Sequence, residues 1–372
     1  MGGRRRTAGR TARGHLRRVT KRTVWRQVRR LPATTGLAVI VGAATVQAQT
    51  LRGEVRAAET AVRLPYSTVL LEPGFPPRFT DDSGFFRYDA LAAGSYRLTA
   101  RAIGYSPFDT TITVAGEPIV LLVTLRPLAF ELPPVIVAAL GPCRRPGPPS
   151  PEDEPELAAI FDQLRETAAR FQLLSDGYPF RYWLERRMWD ERPGRGESPA
   201  AVDTAEYRSN VRRQYRPGNL IEREPKVRGG RVLRLPTLVD LADSTFHRAH
   251  CFGLAGVDSL DGRTQWRVDF APAERLRSPD VGGTAWLDTD TYQLWRLTLR
   301  LTRPERALST IRSLEATVTF DYLLPAVTVP ALIASTTQAG RGRRQVTIHE
   351  EQRLIGLHFV GARPGAATPE SP

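Results

Sequence analysis

The chain of 372 residues lacks the short motifs by which most enzymes are recognised. It has no G-x-S-x-G nucleophile sequence, no H-E-x-x-H or C-x-x-C metal sequence and no glycine-rich phosphate loop. No Ser or Cys has a recognisable base partner. These absences predict a protein that is not an enzyme and that holds no cofactor.

Positive charge is concentrated in residues 1–48. This segment holds twelve of the 53 Lys and Arg residues and no Asp or Glu, so 41 basic residues face 39 acidic ones in the remainder. The formal net charge of +14 therefore belongs to the leader. A nucleic-acid-binding protein needs a basic patch on the surface of its folded domain, so no nucleic-acid partner is predicted.

Residues 1–48 have the order of a secretory signal peptide. A basic stretch over 1–30 is followed by an apolar run over 36–46 and then by the small-residue end Val46-Gln47-Ala48, which predicts cleavage between Ala48 and Gln49. The apolar run is shorter than the roughly 20 residues that span a bilayer, so no transmembrane span is expected in the mature chain. We expect export to the periplasm, outer membrane or surface of a bacterium. A mitochondrial transit peptide and a disordered basic arm are the alternatives.

Residues 49–127 alternate between short β-rich runs and turn signals. In the turn at 80–84, Asp81 can bond its own backbone and Gly84 supplies a positive φ. Runs spaced by about 8 to 12 residues are typical of an antiparallel sandwich. The predicted strands are 51–55, 67–71, 85–88, 95–102, 109–114 and 119–125.

The motifs of this region follow the order of a known family. The residues that carry the pattern are Gly53, Asp81, Gly84, Phe86, Leu91, Gly94, Tyr96, Gly104 and Tyr105. The region resembles the carboxypeptidase regulatory-like domain, which implies a seven-strand, transthyretin-like (prealbumin-like) sandwich with a carbohydrate-binding-like fold. The resemblance also implies that these residues are structural. The family occurs beside zinc carboxypeptidases, but this chain has no His-x-x-Glu pair followed by a distant His.

Residues 128–155 are predicted to be a linker, because nine prolines lie between 127 and 155. The sequence 130–137 resembles the segment that joins this domain to the plug of TonB-dependent receptors. About 215 residues follow, too few for a plug and a large barrel. A fragment or relative of such a receptor stays open as an alternative.

Residues 156–361 predict an α+β domain with one or two helices and a long antiparallel meander or half-barrel. Apolar residues recur at helical spacing from Pro155 to 176–177, and a second short helix is predicted at 237–247. Later runs alternate as strands do. The hairpin at 283–297 resembles one in periplasmic lipoprotein-carrier-like half-barrels. Residues 362–372 are expected to be a disordered tail.

Cys143 and Cys251 are the only cysteines, and an even pair in an oxidising compartment predicts a disulfide. Two separate buried thiols are the alternative. His247 and His250 are weak candidates for metal ligands, but no carboxylate partner lies close in sequence, so no metal site is predicted.

Two other groups of residues invite a functional interpretation. The arginine-rich stretch 208–234 is interleaved with glutamates, so we interpret it as a solvated face. Four tryptophans at strand positions could line a sugar or lipid groove, although the core or its rim is the more ordinary place for them. They are Trp183, Trp189, Trp286 and Trp295.

The sequence therefore predicts a non-catalytic envelope protein that binds or scaffolds something through its sandwich domain. The alternative is a periplasmic carrier that holds a lipid or another hydrophobic ligand in the second domain. The partner, whether an envelope protein, a glycan or a lipid, is not specified by the sequence.

Overall fold

The structure, a computed structural model, describes residues 49–128, 140–212, 214–223, 231–260, 262–324, 327–340 and 344–361. The predicted leader with Ala48, residues 129–139 of the predicted linker and the predicted tail 362–372 lie outside the described residues. The described residues belong to one compact unit, Val46–Pro372.

The first domain consists of seven strands in two sheets, which confirms the predicted sandwich. One sheet has the order β4–β1–β7 and the other β3–β2–β5–β6. The pairings are antiparallel except that of β1 with β7, which is parallel and was not predicted. The strands are β1 (Gln49–Ala57), β2 (Thr68–Glu72), β3 (Arg78–Phe79), β4 (Phe85–Leu91), β5 (Gly94–Arg101), β6 (Phe108–Val114) and β7 (Ile119–Leu125).

The core of the sandwich comes from the alternation of side chains along these strands. Leu51, Tyr88 and Leu98 are fully buried between the two sheets. Gly53 lies under the ring of Phe86, where a Cβ would come within 2.2 Å of the ring, so the close packing requires glycine at this position.

The second domain is built on one large antiparallel sheet. Its strands follow the order β10–β8–β19–β18–β17–β16–β15–β14–β13, and β9 pairs with β8. The last strand in the chain, β19, therefore pairs with β8, the first strand of this domain. The strands are β8 (Phe180–Arg192), β9 (Gly196–Glu197), β10 (Ala201–Arg208), β13 (His250–Leu260), β14 (Arg263–Pro272), β15 (Asp280–Asp288), β16 (Leu294–Thr302), β17 (Ile311–Leu324), β18 (Val327–Ala339) and β19 (Val346–Phe359). A separate hairpin joins β11 (Ile221–Arg223) and β12 (Arg231–Leu233).

Helix α1 (Pro155–Gly177) packs against one face of this sheet, called here the inner face; the opposite face is called the outer face. Proline is well placed at the helix start because its missing N–H would have no partner there. Leu157, Phe161 and Leu164 lie on the buried side of α1, against residues of β14 to β18. Three short helices complete the domain: α2 (Leu238–Ala242), α3 (Ser244–His247) and α4 (Pro304–Ala307).

The sandwich and the second domain meet along α1. Arg170 is buried and donates a hydrogen bond to the carbonyl oxygen of Tyr66. Burial lowers the pKa of Arg170 to about 10, opposed by Glu166. Glu166 pairs with Arg101 at 3.1 Å. Two polar contacts therefore link the domains: the Arg170–Tyr66 hydrogen bond and the Arg101–Glu166 ion pair.

A small apolar cluster fills the same interface. Tyr66 of the sandwich packs with Leu174, Phe180 and Val329 of the second domain. At another contact between the domains, Gly104 has φ +78°, and a Cβ there would lie 2.5 Å from the carbonyl oxygen of Asp290. Gly104 is thus one of the motif residues that touch the second domain.

Candidate functional site

A cavity of about 1010 Å3 lies between the inner face of the large sheet and helices α1 and α2. Pockets for small ligands have volumes of about 300 to 1,000 Å3, so this one is large enough for a ligand of lipid size. Most of its lining is apolar or aromatic. These lining residues include Phe171, Phe180, Tyr182, Leu184, Leu235, Leu238, Val318, Phe320, Val329 and Ile333.

The strand and helix periods explain how the sequence builds this lining. In β8, Phe180, Tyr182 and Leu184 follow one another at every second position, so all three point to the inner face. In α1, Phe171 and Ser175 are four residues apart and lie on one side of the helix. The alternating pattern that predicted a strand at 180–184 thus also produces the cavity wall.

Two arginines of the wall are paired with carboxylates of the wall. Arg186 forms two hydrogen bonds with Asp203, at 2.9 and 2.7 Å. Arg234 forms two with Asp240, at 2.9 and 3.2 Å, and Asp240 also closes the capping box of α2. In each of these two pairs the charge of the arginine is offset by a carboxylate, although the Nε atom of Arg234 is buried without a hydrogen-bond partner among the described residues.

Uncharged polar groups complete the wall. Burial, and then the neighbouring Tyr207, raise the pKa of Tyr182 well above its usual value, so its phenol stays neutral. Ser175 is buried, and its hydroxyl has no hydrogen-bond partner among the described residues. Because an unsatisfied buried polar group is costly, a ligand with a polar group at this depth would be favoured.

Residues 208–212 and 214–216, called here the rim loop, border the opening of the cavity. The backbone N–H of Ser209 donates to the carbonyl of Phe180 at 3.0 Å, and the Ser209 hydroxyl accepts from the Phe180 N–H at 3.0 Å. At the other end, Tyr215 is 1% exposed and its hydroxyl donates to Asp280 at 2.6 Å. The loop is therefore fixed to the domain near both ends.

The structure partly corrects the interpretation of 208–234 as a solvated face. Arg208, Arg212 and Arg216 are exposed as expected. Tyr215 and Leu220 are buried in the domain core instead. Tyr215 and Leu220, which interrupt an arginine-rich stretch, were the signal that could have identified this loop.

Tyr215, Asp280 and His250 form a buried polar network. Asp280 and His250 are completely buried, and the Nε2 atom of His250 lies 3.5 Å from Asp280. Burial, followed by the Asp280 carboxylate, raises the pKa of Tyr215. The network has the residue types of a proton relay, but Asp280 and His250 lie inside the core, and of the three only Tyr215 reaches the cavity wall. The prediction that the chain is not an enzyme therefore stays a prediction.

The two histidines considered as metal ligands are bonded to backbone carbonyls. His247 Nε2 lies 2.7 Å from the carbonyl oxygen of Leu241, and burial lowers the pKa of His247. The ring nitrogens of His250 lie 2.9 and 3.0 Å from the carbonyls of Phe246 and Val281. Within the described ranges, no group of three or more His, Cys, Asp or Glu side chains is placed to hold a metal ion.

Cys143 and Cys251 form a disulfide, with their Cα atoms 5.4 Å apart. Backbone hydrogen bonds flank it on both sides. The Gly147 N–H donates to the His250 carbonyl at 3.0 Å, and the Glu274 N–H donates to the Cys143 carbonyl at 2.9 Å. The end of the predicted linker is thereby attached to the second domain.

The motif residues of the sandwich occupy turn and core positions. Asp81 accepts hydrogen bonds from the N–H groups of Ser83 and Phe85, each at 2.9 Å, and Gly84 closes this turn with φ +79°. The other members lie in the core, at the start of β5, or in the loop after β5, where Tyr105 forms an isolated β-bridge with Pro127. They are Gly53, Phe86, Leu91, Gly94, Tyr96 and Tyr105.

The described residues that line the cavity include none of the four tryptophans considered for a groove. Trp183 and Trp189 stack on His358 and His349, with ring centroids 5.0 and 5.3 Å apart. Trp286 and Trp295 lie under arginine guanidinium groups, at 5.2 and 4.0 Å. Each of the four is thus covered by a cationic or titratable side chain.

Comparison with protein-family models gives an assignment for the sandwich. Residues 50–126 match the carboxypeptidase regulatory-like domain. This confirms the resemblance predicted from the glycine and aromatic motif. A comparison with curated proteins found no match.

Several solved structures are similar to part of the chain. A candidate outer membrane lipoprotein-sorting protein domain from Vibrio parahaemolyticus is 13% identical, with 56% of this chain and 95% of that chain covered and a TM-score of 0.29. A LolA superfamily protein from Nitrosomonas europaea is 13% identical, with 52% and 93% covered and a TM-score of 0.26. A DUF1329 family protein from Desulfovibrio piger is 11% identical, with 55% and 95% covered and a TM-score of 0.27. Scores this low carry no conclusion about this chain. No helix in the described ranges is long and apolar enough to span a membrane.

Proposed function

We propose that this chain is an exported, non-catalytic envelope protein that holds a lipid or another hydrophobic molecule in the cavity of its second domain. The observation that carries the proposal is the cavity of about 1010 Å3 between the sheet and α1. A core filled by side chains would have left no room for a ligand. Burial of an apolar ligand there would gain about 25 cal/mol for each Å2 removed from water.

The chemistry of the wall supports a ligand that is largely apolar. Two of its arginines, Arg186 and Arg234, already pair with Asp203 and Asp240, so the deeper part of the wall has no strong demand for a charged ligand group. Tyr182 stays neutral, and Ser175 offers a hydroxyl to an uncharged polar group. A molecule with one or more acyl chains and a small polar group fits this environment.

Export is supported by two features of the chain. Residues 1–48 have the order of a signal peptide, and the disulfide between Cys143 and Cys251 is expected to persist only in an oxidising compartment. The proposed location is the periplasm or the outer membrane of a bacterium.

The binding of a fluorescent hydrophobic probe, N-phenyl-1-naphthylamine, tests the proposal. Ala205 lines the cavity, whereas Thr204 precedes it on the same strand and points to the opposite face. Ala205→Trp is expected to reduce probe binding, because the indole occupies part of the cavity. Thr204→Trp is the matched control and should bind the probe as the unmodified protein does. Equal binding by all three proteins would place the probe elsewhere and contradict the proposal.

A second function is favoured by the edge of the sandwich. Strand β7 is the last strand of its sheet among the described residues, and Val120 and Leu122 on it are 85% and 55% exposed. An apolar edge strand can pair with a strand of a partner protein. Loss of a captured envelope partner on Val120→Asp, with probe binding unchanged, would support this scaffolding role. Retention of the partner would remove it.

A further inference from the structure

The rim loop combines exposed apolar and basic side chains at the mouth of the cavity. Val211 lines the opening and is 59% exposed, and Tyr207, just before the loop, is 38% exposed. The described residues of the loop include three arginines, Arg208, Arg212 and Arg216, and no Asp or Glu. Exposed aromatic and aliphatic residues beside arginine are the composition by which peripheral proteins contact lipid headgroups.

The loop is held so that its middle faces outward. Its ends are fixed by the Ser209–Phe180 hydrogen bonds and by the bond of buried Tyr215 to Asp280. Between these points, Val211 and Arg212 are exposed. A surface that is fixed in advance loses little conformational entropy when it binds.

The acidic groups near the rim loop hold its arginines only weakly. Arg208 pairs with Glu206 at 3.0 Å, and Arg212 pairs with Asp176, but all four side chains are at least about one-third exposed. Exposed ion pairs contribute little and can exchange partners at small cost. Two acids deeper in the wall, Asp203 and Asp240, pair with Arg186 and Arg234.

We propose that the rim loop docks the protein on a membrane surface that carries anionic lipids, with the opening of the cavity toward the bilayer. Phosphate groups of the lipids would replace Glu206 and Asp176 as partners of Arg208 and Arg212, and Val211 would enter the headgroup region. This inference rests on the proposed function, because a carrier must meet the membrane that supplies or receives its ligand. Docking would be weakened by salt, as electrostatic binding is.

Binding to vesicles tests the proposal with the protein collected from the periplasm. The vesicles contain equal parts of phosphatidylglycerol and phosphatidylcholine, or phosphatidylcholine alone. Each arginine near an anionic surface contributes about 1 kcal/mol, so Arg208→Gln with Arg212→Gln should weaken binding to the anionic vesicles roughly 30-fold. Val211→Asp should weaken it as well. The matched control is Arg192→Gln with Arg195→Gln, which removes the same charge at the exposed β8–β9 turn outside the cavity.

The outcomes separate this inference from the proposed function. A loss of vesicle binding in the rim variants, with binding by the Arg192 and Arg195 control unchanged, would support docking through the rim loop. Equal losses in the rim and control variants would show an effect of net charge only and overturn the inference. Equal binding to both vesicle types, or none to either, would also overturn it. If the cavity does not bind the ligand, Ala205→Trp will leave probe binding unchanged. That result is measured independently of vesicle binding.

Discussion

Removal of the disulfide is expected to cost a large part of the stability of the second domain. The bond between Cys143 and Cys251 closes a loop with a sequence separation of 108 residues. For a loop of this length, the loss of entropy in the unfolded chain corresponds to about 5 kcal/mol. Whole domains are stable by only about 5 to 15 kcal/mol, so this is a large fraction.

Chemical denaturation of two proteins measures this contribution: the oxidised protein and the double variant Cys143→Ser with Cys251→Ser. The variant is expected to unfold at a clearly lower denaturant concentration with a free energy of unfolding lower by about 3 to 5 kcal/mol. The Gly147–His250 hydrogen bond should weaken too, because the segment that carries it would no longer be held. A difference below about 1 kcal/mol would refute the argument that the bond restrains a long loop.

Three further substitutions test single contacts. Gly104→Ala should lower the melting temperature, because the backbone at this position has φ +78° and the new Cβ would lie 2.5 Å from the Asp290 carbonyl oxygen. An unchanged melting curve would mean that the domains separate easily. Tyr215→Phe removes the hydrogen bond to buried Asp280 and should cost about 2 kcal/mol in a denaturant titration, and a smaller loss would show that the rim loop is not fixed there. His247 has a lowered pKa in the folded state, so the unfolded chain takes up protons first and stability falls as the pH drops below about 6.5. His247→Gln should make the pH dependence of the unfolding free energy shallower over that range, and an unchanged slope would contradict this.

The first domain could be predicted from the sequence because its signals are local. The Asp81 turn, the glycine at 84 and the alternation of buried residues each specify a structure within a few residues. Strand β3, of two residues, is too short to show a period, and so it was not predicted. The parallel pairing of β1 with β7 depends on residues that lie about 70 positions apart, which no local pattern shows.

The cavity could not be predicted from the sequence for the same physical reason. Its wall combines side chains from Phe171 of α1 to Gln352 of β19. Strand β19 contains Glu350, Glu351 and Arg353, which weaken the apolar alternation by which strands are recognised. The helix and several strands were expected, but the space between them depends on how all of them pack together.

The polar network behind the rim loop was hidden for a related reason. Tyr215 lies in an arginine-rich stretch, and its partner Asp280 is 65 residues further along the chain. His250 was considered for a metal and instead lies beside Asp280 in the core. Residue type and spacing identified groups capable of chemistry, whereas burial and partners decide what they do.

Native mass spectrometry of the protein purified from the periplasm shows directly whether the cavity holds a ligand. We expect a chain that begins near Gln49, contains a disulfide and carries a bound lipid or other hydrophobic molecule that organic extraction releases. Ala205→Trp should reduce the amount retained, and Thr204→Trp should leave it unchanged. A protein without any bound molecule, which also fails to bind the hydrophobic probe, would contradict the claim that the cavity is a ligand site.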